Sequence, residues 1–256
     1  MRNILAIAHK ELRSYFASPI AYIVIGLFAL FYGYFFALMM QVFIRNGMNM
    51  GAMGGGQQPM NINQDMMRPV LQNVTILLLF LMPAITMRTY AEERRSGTIE
   101  LLLTSPVSDL QIILGKFLGS LALYGSMLAI TFLHIGILFW YGSPEWKPFV
   151  TQYLGLLLLG GSFLSVGLFI STLTTNQIVA YIVTFSAFLM LWVISWIGSI
   201  STGWVTDLTA YLSIIEHFDD FSKGVIDTTH VIYYLSLISF GLFLTAKSVD
   251  TERWRG

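Results

Sequence analysis

Residues 70–88 read VLQNVTILLLFLMPAITMR, residues 89–111 read TYAEERRSGTIELLLTSPVSDLQ, and residues 112–141 read IILGKFLGSLALYGSMLAITFLHIGILFWY. Two long apolar stretches are joined by a short segment dense in both signs of charge. About 20 apolar residues suffice to cross the hydrocarbon of a bilayer as a helix. Backbone polar groups cannot be left unpaired in lipid, so stretches of this kind are helices.

Working outward, four further stretches qualify, at about 19–44, 151–174, 177–200 and 229–247. The expectation is an all-α, polytopic membrane protein with six transmembrane helices in a single domain over 1–256. Composition agrees: 55% of residues are hydrophobic and 11% charged, with a mean hydropathy of +0.69. A soluble domain carries roughly 25% charged residues. The net charge of zero argues against a nucleic-acid partner. Without cysteine there is no disulfide framework and no thiolate metal site. The first apolar run is longer than a signal-peptide core and lacks a small-residue cleavage site.

Local signals fix two helix starts. Ser18 reads as an N-cap with Pro19 at the first helical position. Ser108 with Gln111 reads as a capping box. Pro83 predicts a kink in the second span. Gly115 with Gly119, and Gly161 with Ser165, predict close helix contacts, more often within one subunit than between two.

Charge sets the orientation. With the N-terminus inside, the inner segments hold Arg2, Lys10, Arg13, Arg88, Arg94, Arg95, Lys116, Lys247, Arg253 and Arg255. The outer segments hold only Arg45, Arg68, Lys147 and Lys223. Lys and Arg bias segments toward the cytoplasm, so both termini are expected there.

Three segments lie outside the spans. In residues 3–17, Ile4, Leu5, Ala8, Leu12, Tyr15 and Phe16 recur at helical spacing, which predicts an interfacial amphipathic helix. Residues 45–69 are rich in Met, Gly, Asn and Gln and read as a flexible linker. The methionines there offer soft Cu(I) ligands, but no Cys or His joins them, and no metal site is assigned. In 201–228, Leu208, Tyr211, Leu212, Ile215 and Phe218 predict one short outer helix. Its Glu216, His217, Asp219 and Asp220 read as a solvated polar face rather than a metal site.

The chemistry concentrates in the loop at 88–111. Arg88 and Glu92 are one helical turn apart, Gly97 breaks a helix, and Thr98 caps a new one that ends at Pro106. The segment predicts a short stiff helix with a charged face toward the cytoplasm. A docking element explains this pattern better than a plain connector. No phosphate-binding GxxxxGK[ST] motif occurs, nor HExxH or GxSxG, so neither ATP hydrolysis nor another catalysis is assigned to this chain. An intramembrane enzyme would need a partner for His134 in the third span. The polar candidates for a substrate path are Asn73, Thr75, His134, Thr184 and Ser186, amid many aromatics. So few ionisable groups favour an apolar or amphipathic cargo over a small ion.

The run FLMPAITMRTYAEERRSGTIELLLTSPVSDLQIILGKFLGSL resembles the second span and following loop of ABC-2 type permeases, and VGLFISTLTTNQIVAYIVTF resembles their fourth and fifth spans. The likeness runs from KELRSYFASPIAY to HFDDFSKGVIDTTHVIYY and looks most like the gliding-motility-associated branch. The loop at 45–69 departs from the family pattern. The resemblance implies a non-catalytic transmembrane subunit of an ATP-binding-cassette transporter. Residues 90–104 would then be the coupling helix, held in a cleft of a cytoplasmic ABC ATPase, and 3–17 the connecting helix beside it. Glu92, Glu93 and Arg94 would make polar contacts, Gly97 would set the bend, and Thr98, Glu100 and Leu101 would belong to a second short helix. ATP and Mg2+ would sit on the ATPase, with no cofactor on this chain. A second copy or a related permease would complete the membrane part, with a periplasmic auxiliary subunit and membrane lipid as further partners. The resemblance also allows a complex that drives a periplasmic, gliding-type apparatus without transport.

Overall fold

A computed structural model describes residues 2–52, 60–99, 107–200 and 202–253. These residues are almost entirely helical, and no strand occurs among them. Helix α1 (Arg2–Ala17) leads directly into α2 (Pro19–Ala52). A π-helical turn (Ile62–Met67) opens α3 (Arg68–Thr86), which is followed by the short α4 (Ala91–Ser96). Then come α5 (Asp109–Tyr141), α6 (Trp146–Thr172), α7 (Gln177–Ile200), α8 (Trp204–Leu212), α9 (Glu216–Ser222) and α10 (Thr228–Arg253). Six helices, α2, α3, α5, α6, α7 and α10, are long and apolar enough to cross a membrane. The chain is a multi-pass membrane protein.

Burial separates a centre from a rim. The apolar window of the second span is 61% buried and that of the fourth 72%, against 22% for the first and 17% each for the fifth and sixth. Spans two and four are therefore the core on which the others pack, and the rim spans turn wide apolar faces outward. Small residues set the closest approach. Ser162 and Ser165 of α6 donate to the carbonyls of Tyr234 and Leu237 on α10 at 3.4 and 3.5 Å. A Cβ at Gly241 of α10 would stand 2.7 Å from Ser165 Oγ. Close backbone contact through small side chains is how helices associate in lipid, where no hydrophobic force drives them together.

The two polar ends differ. At one, α1, α4, the start of α5 and the ends of α6 and α10 gather, tied by contacts such as Thr172 Oγ1 to Ser248 Oγ at 2.8 Å. At the other, the π-helical turn meets the α5–α6 turn through Asn63 Nδ2 and the Glu145 carbonyl (2.8 Å), beside α8 and α9. Trp140, Tyr141, Trp146 and Trp204 stand exposed near this second end. Such a girdle suits a lipid–water interface, where an aromatic ring can keep its apolar body in the acyl region.

Three local expectations are corrected. The segment 45–69 is not a linker at its ends: α2 continues to Ala52, and Met66 and Met67 are fully buried in the π-helical turn, capped by Asn61. Residues 53–59 lie outside the described residues. The outer segment is two helices rather than one, because Ser213 leaves the helix and its hydroxyl caps the Glu216 N–H at 3.3 Å. The Ser108 cap forms (Oγ to Gln111 N, 3.4 Å), but Gln111 takes a bond from Asn3 on α1 through its side chain. Helix α3 continues through Pro83 to Thr86.

Candidate coupling site and apolar cleft

Helix α1 can lie against α5 because α5 has no side chains in the way. A Cβ at Gly115 would meet Ile7 Cβ at 2.6 Å, and one at Gly119 would meet Glu11 Cβ at 2.7 Å. The two glycines, one helical turn apart, thus seat the amphipathic helix of the same chain. Between them Lys116 is 1% exposed and fully engaged. Its Nζ donates to Glu11 Oε1 on α1 (3.0 Å), to Glu93 Oε1 on α4 (2.8 Å) and to the Thr89 carbonyl (3.0 Å). It also lies 4.9 Å from the centre of the Tyr90 ring. A buried ammonium needs this complete set, since desolvation of an unpaired charge costs several kcal/mol or more.

A second knot lies beside it. The Tyr15 hydroxyl reaches the Ile85 carbonyl (3.1 Å), Thr89 Oγ1 (3.1 Å) and Ser120 Oγ (3.0 Å), joining α1, α3 and α5. Burial raises the pKa of this phenol above its ordinary value, against the hydrogen bonds of Ser120 and Thr89, so it stays neutral. Arg88 Nη2 donates to the carbonyl and hydroxyl of Ser14 at 3.3 Å each, and Arg88 Nε pairs with Glu92 at 3.6 Å.

Helix α4 is capped from a distance. Tyr90, its N-cap, supplies no side-chain bond. Ser171 at the end of α6 accepts the N–H groups of Tyr90 and Ala91, both at 3.1 Å, and donates to the Met87 carbonyl at 3.2 Å. At the other end Gly97 adopts φ 70°, the left-handed conformation that closes a helix and that side chains disfavour. Thr98 turns its hydroxyl back toward Ser96 Oγ (2.8 Å) and the Glu93 carbonyl (3.4 Å). Six residues of helix are thereby fixed to α1, α3, α5 and α6 together. Glu92, Arg95 and Ser96 remain exposed on the outer surface. Between α1 and α4 opens a charged cleft of about 460 Å³, lined by Lys10, Glu11, Arg88, Glu92 and Glu93 among others.

Of the coupling residues read from the sequence, Glu92, Glu93, Arg94, Gly97 and Thr98 stand together here, while Glu100 and Leu101 lie outside the described residues. Arg94 faces a different cleft, with Phe169, Leu244 and Lys247. Lys116, Glu11, Tyr15 and Ser171 complete the site, and sequence reading gave them no role in it. A lysine inside an apolar span, with an acid in the neighbouring amphipathic helix, was the available signal.

The polar residues read as a substrate path do not converge. Asn73 and Thr75 bond to carbonyls of their own helix, Pro69 and Gln72. His134 packs edge-on to Tyr32 and Phe36 of α2, with ring centres 5.0 Å from each. Thr184 is buried and Ser186 exposed. A large apolar cavity lies elsewhere, between α2, α3 and α7. This cleft of about 620 Å³ is lined by Leu27, Phe31, Phe35, Phe80 and Leu81 among others, with Tyr181 donating to the Phe80 carbonyl at its wall.

The chain matches the family described as ABC-2 family transporter protein over residues 5–247. It is 32% identical over 146 residues to the probable multidrug ABC transporter permease YbhR of Escherichia coli, in both strain K12 and O157:H7. That match covers 55% of this chain and 38% of those relatives' own length. Six apolar spans and a short charged helix fixed to four of its neighbours accord with a match that covers nearly the whole sequence: the chain belongs to the ABC-2 transporter family.

Proposed function

We propose that this protein is the transmembrane subunit of an ABC exporter, driven by a separate cytoplasmic ATPase that grips α4 and α1. The end that gathers α1 and α4 would face the cytoplasm of a bacterium across its inner membrane, as the excess of Lys and Arg there favours. The observation that carries the reading is Lys116, whose ammonium binds α1 and α4 to the third span at once. A push on α4 then reaches the spans through packed, hydrogen-bonded contacts rather than through a slack loop. Glu93 Oε2 is buried without a donor among the described residues, and a basic or amide group of the ATPase entering the charged cleft would satisfy it. ATP and Mg2+ would be held by that ATPase.

Two such subunits would face one another, with the apolar faces of the rim spans between them and the lipid. ATP-driven closure of the ATPases would draw the two α4 helices together and rock the spans between access states. Such a shift requires ATP to bind more tightly to the closed state. The cargo would be apolar or amphipathic: the cleft between α2, α3 and α7 has almost no polar lining, and the Escherichia coli relative is named as a probable multidrug permease.

Reconstitution with the ATPase tests the assignment. Glu92→Lys reverses the charge of an exposed α4 residue and is expected to lower ATPase recruitment and stimulation at least tenfold, about 1.4 kcal/mol. Deletion of 51–58 should leave both unchanged. If Glu92→Lys and Gly97→Pro both recruit and stimulate normally, α4 is not the handle.

A further inference from the structure

At the end opposite the termini, His217 of α9 and His230 of α10 meet through their Nδ1 atoms at 2.7 Å. His217 is 5% exposed and leaves the expected solvated face, on which Glu216 is exposed and Asp219 and Asp220 are half-buried. The outer nitrogens of the two rings are also engaged. His230 Nε2 lies 3.0 Å from Asp220 Oδ2, and His217 Nε2 lies 3.0 Å from the Tyr211 carbonyl on α8. The Tyr233 ring stacks on His217 with centres 3.8 Å apart.

Proton counting makes this row informative. A carboxylate and a carbonyl stand at its two ends, and both only accept. Each Nε2 must therefore carry a hydrogen, and the central contact needs one more on either Nδ1. Two neutral imidazoles carry one hydrogen each. Three are required, so the row is complete only with one extra proton. With two neutral rings, either two lone pairs face one another or an outer bond is lost.

We propose that His217 and His230 form a binding site for one shared proton, which fastens α8 and α9 to the start of the sixth span and makes this end of the protein pH-responsive. The site goes beyond the transporter reading and does not depend on it.

The surrounding charges favour one proton and oppose two. From α9, Lys223 bridges Asp219 (2.6 Å) and Asp220 (2.9 Å), and Glu216 lies on the same helix. From α3, Arg68 pairs with Asp219 at 2.7 Å. Asp227 caps the start of α10 through the Thr229 N–H. Four carboxylates against two cations leave a negative balance that one proton relieves. Tyr211 and Tyr233 add phenol rings, and α6 contributes the neutral amide of Gln152, bonded to the Ser222 carbonyl. A second proton is resisted: burial lowers the pKa of His217, and a charge on His230 lowers it further, against the Tyr211 carbonyl.

Below the free imidazole value of about 6.5, the unfolded chain binds two protons on these rings and the folded chain one, so stability falls as pH falls.

The test is a titration of the full chain in detergent with 13Cε1-labelled histidine, using exposed His9 as the internal reference. His217→Gln and His230→Gln assign the two signals. The expected result is a splitting of the pair's titration into two steps, each sensed by both rings, as for an interacting pair. In either single variant the remaining ring should lose this splitting. The proposal is overturned if both rings titrate together with His9 in the unaltered chain, or if the splitting persists in the variants.

Discussion

Lys116 Nζ stands 2.8 Å from Glu93 Oε1, with the lysine 1% exposed, so the third span and α4 share a buried charge pair. Glu11 of α1 completes the pair as a triad. Lys116→Met leaves two carboxylates facing one another without their buried cation, with the exposed Lys10 at 3.6 Å from Glu11 and 3.7 Å from Glu93. Breaking a buried pair in this way costs about 3–5 kcal/mol, and the thermal midpoint in detergent should drop accordingly. Adding Glu11→Gln and Glu93→Gln removes the orphaned charges and should recover most of the stability. ATPase stimulation should stay low in the triple variant, because stability returns without the link. Recovery of both together would mean that the triad only holds the fold.

Gly97 offers a graded series. Its φ of 70° costs an ordinary L-residue about 1–2 kcal/mol, and nothing lies within 4 Å of an added Cβ. Gly97→Ala should therefore be mildly destabilising through the backbone alone. Gly97→Asn should be milder still, since asparagine tolerates this region. Gly97→Pro cannot adopt it and also removes the N–H that donates to the Arg94 carbonyl at 3.3 Å. ATPase stimulation should follow the order glycine, asparagine, alanine, proline. An order set by side-chain size instead would refute the backbone argument.

These two positions show what the sequence made legible. Gly97 was readable because a helix stop is a local event, encoded within a few residues. The spans were readable because length and apolarity are local too. Lys116 was visible only as one more cation near the inner surface. Its partners, Glu11 and Glu93, lie 105 and 23 residues away and are brought together only when α1 packs on α5. The Gly115–Gly119 spacing announced a close neighbour without saying which helix it was. Ser171 caps α4 across 81 residues, and no cap signal at Tyr90 pointed to it. His217 and His230 are 13 residues apart on different helices, so a search for ligand spacing along one helix could not pair them. Polar residues inside spans look alike in the sequence whether they line a path or bond within their own helix, as Asn73 and Thr75 do.

Glycines packed against neighbours and glycines with open space beside them should respond oppositely to the same change. A Cβ at Gly160 would overlap the Tyr124 ring, whose hydroxyl is committed to the Leu156 carbonyl at 2.8 Å. A Cβ at Gly155 would stand 2.6 Å from Phe221 Cβ. Gly160→Ala and Gly155→Ala should each cost about 1–3 kcal/mol through overpacking. Gly125 and Gly136 have nothing within 4 Å of an added Cβ. Alanine there should be neutral or gain up to about 1 kcal/mol of helix propensity. Thermal unfolding of the four variants checks the contrast. Equal losses at buried and open sites would show that helix flexibility, not fit, sets the requirement for glycine.

The Arg68–Asp219 pair should give the end opposite the termini an acid limit distinct from the histidine row. Burial raises the Asp219 carboxyl, but hydrogen bonds from Lys223 and Arg68 outweigh it and hold the group below its ordinary value. A carboxylate depressed in the folded state contributes stability that is present above its unfolded value, about 3.9. That contribution is lost as pH falls through the lower folded value. Asp219→Asn should therefore lower the thermal midpoint at neutral pH, with the difference from the unaltered chain shrinking below about pH 4. The loss should be shared by Arg68→Gln, because Arg68 also donates to Ser222 Oγ at 3.2 Å and so ties α3 to α9 through the same residues. A deficit in Asp219→Asn that stays constant down to about pH 3 would mean that the amide fails for reasons of shape, since the charge would then have played no part.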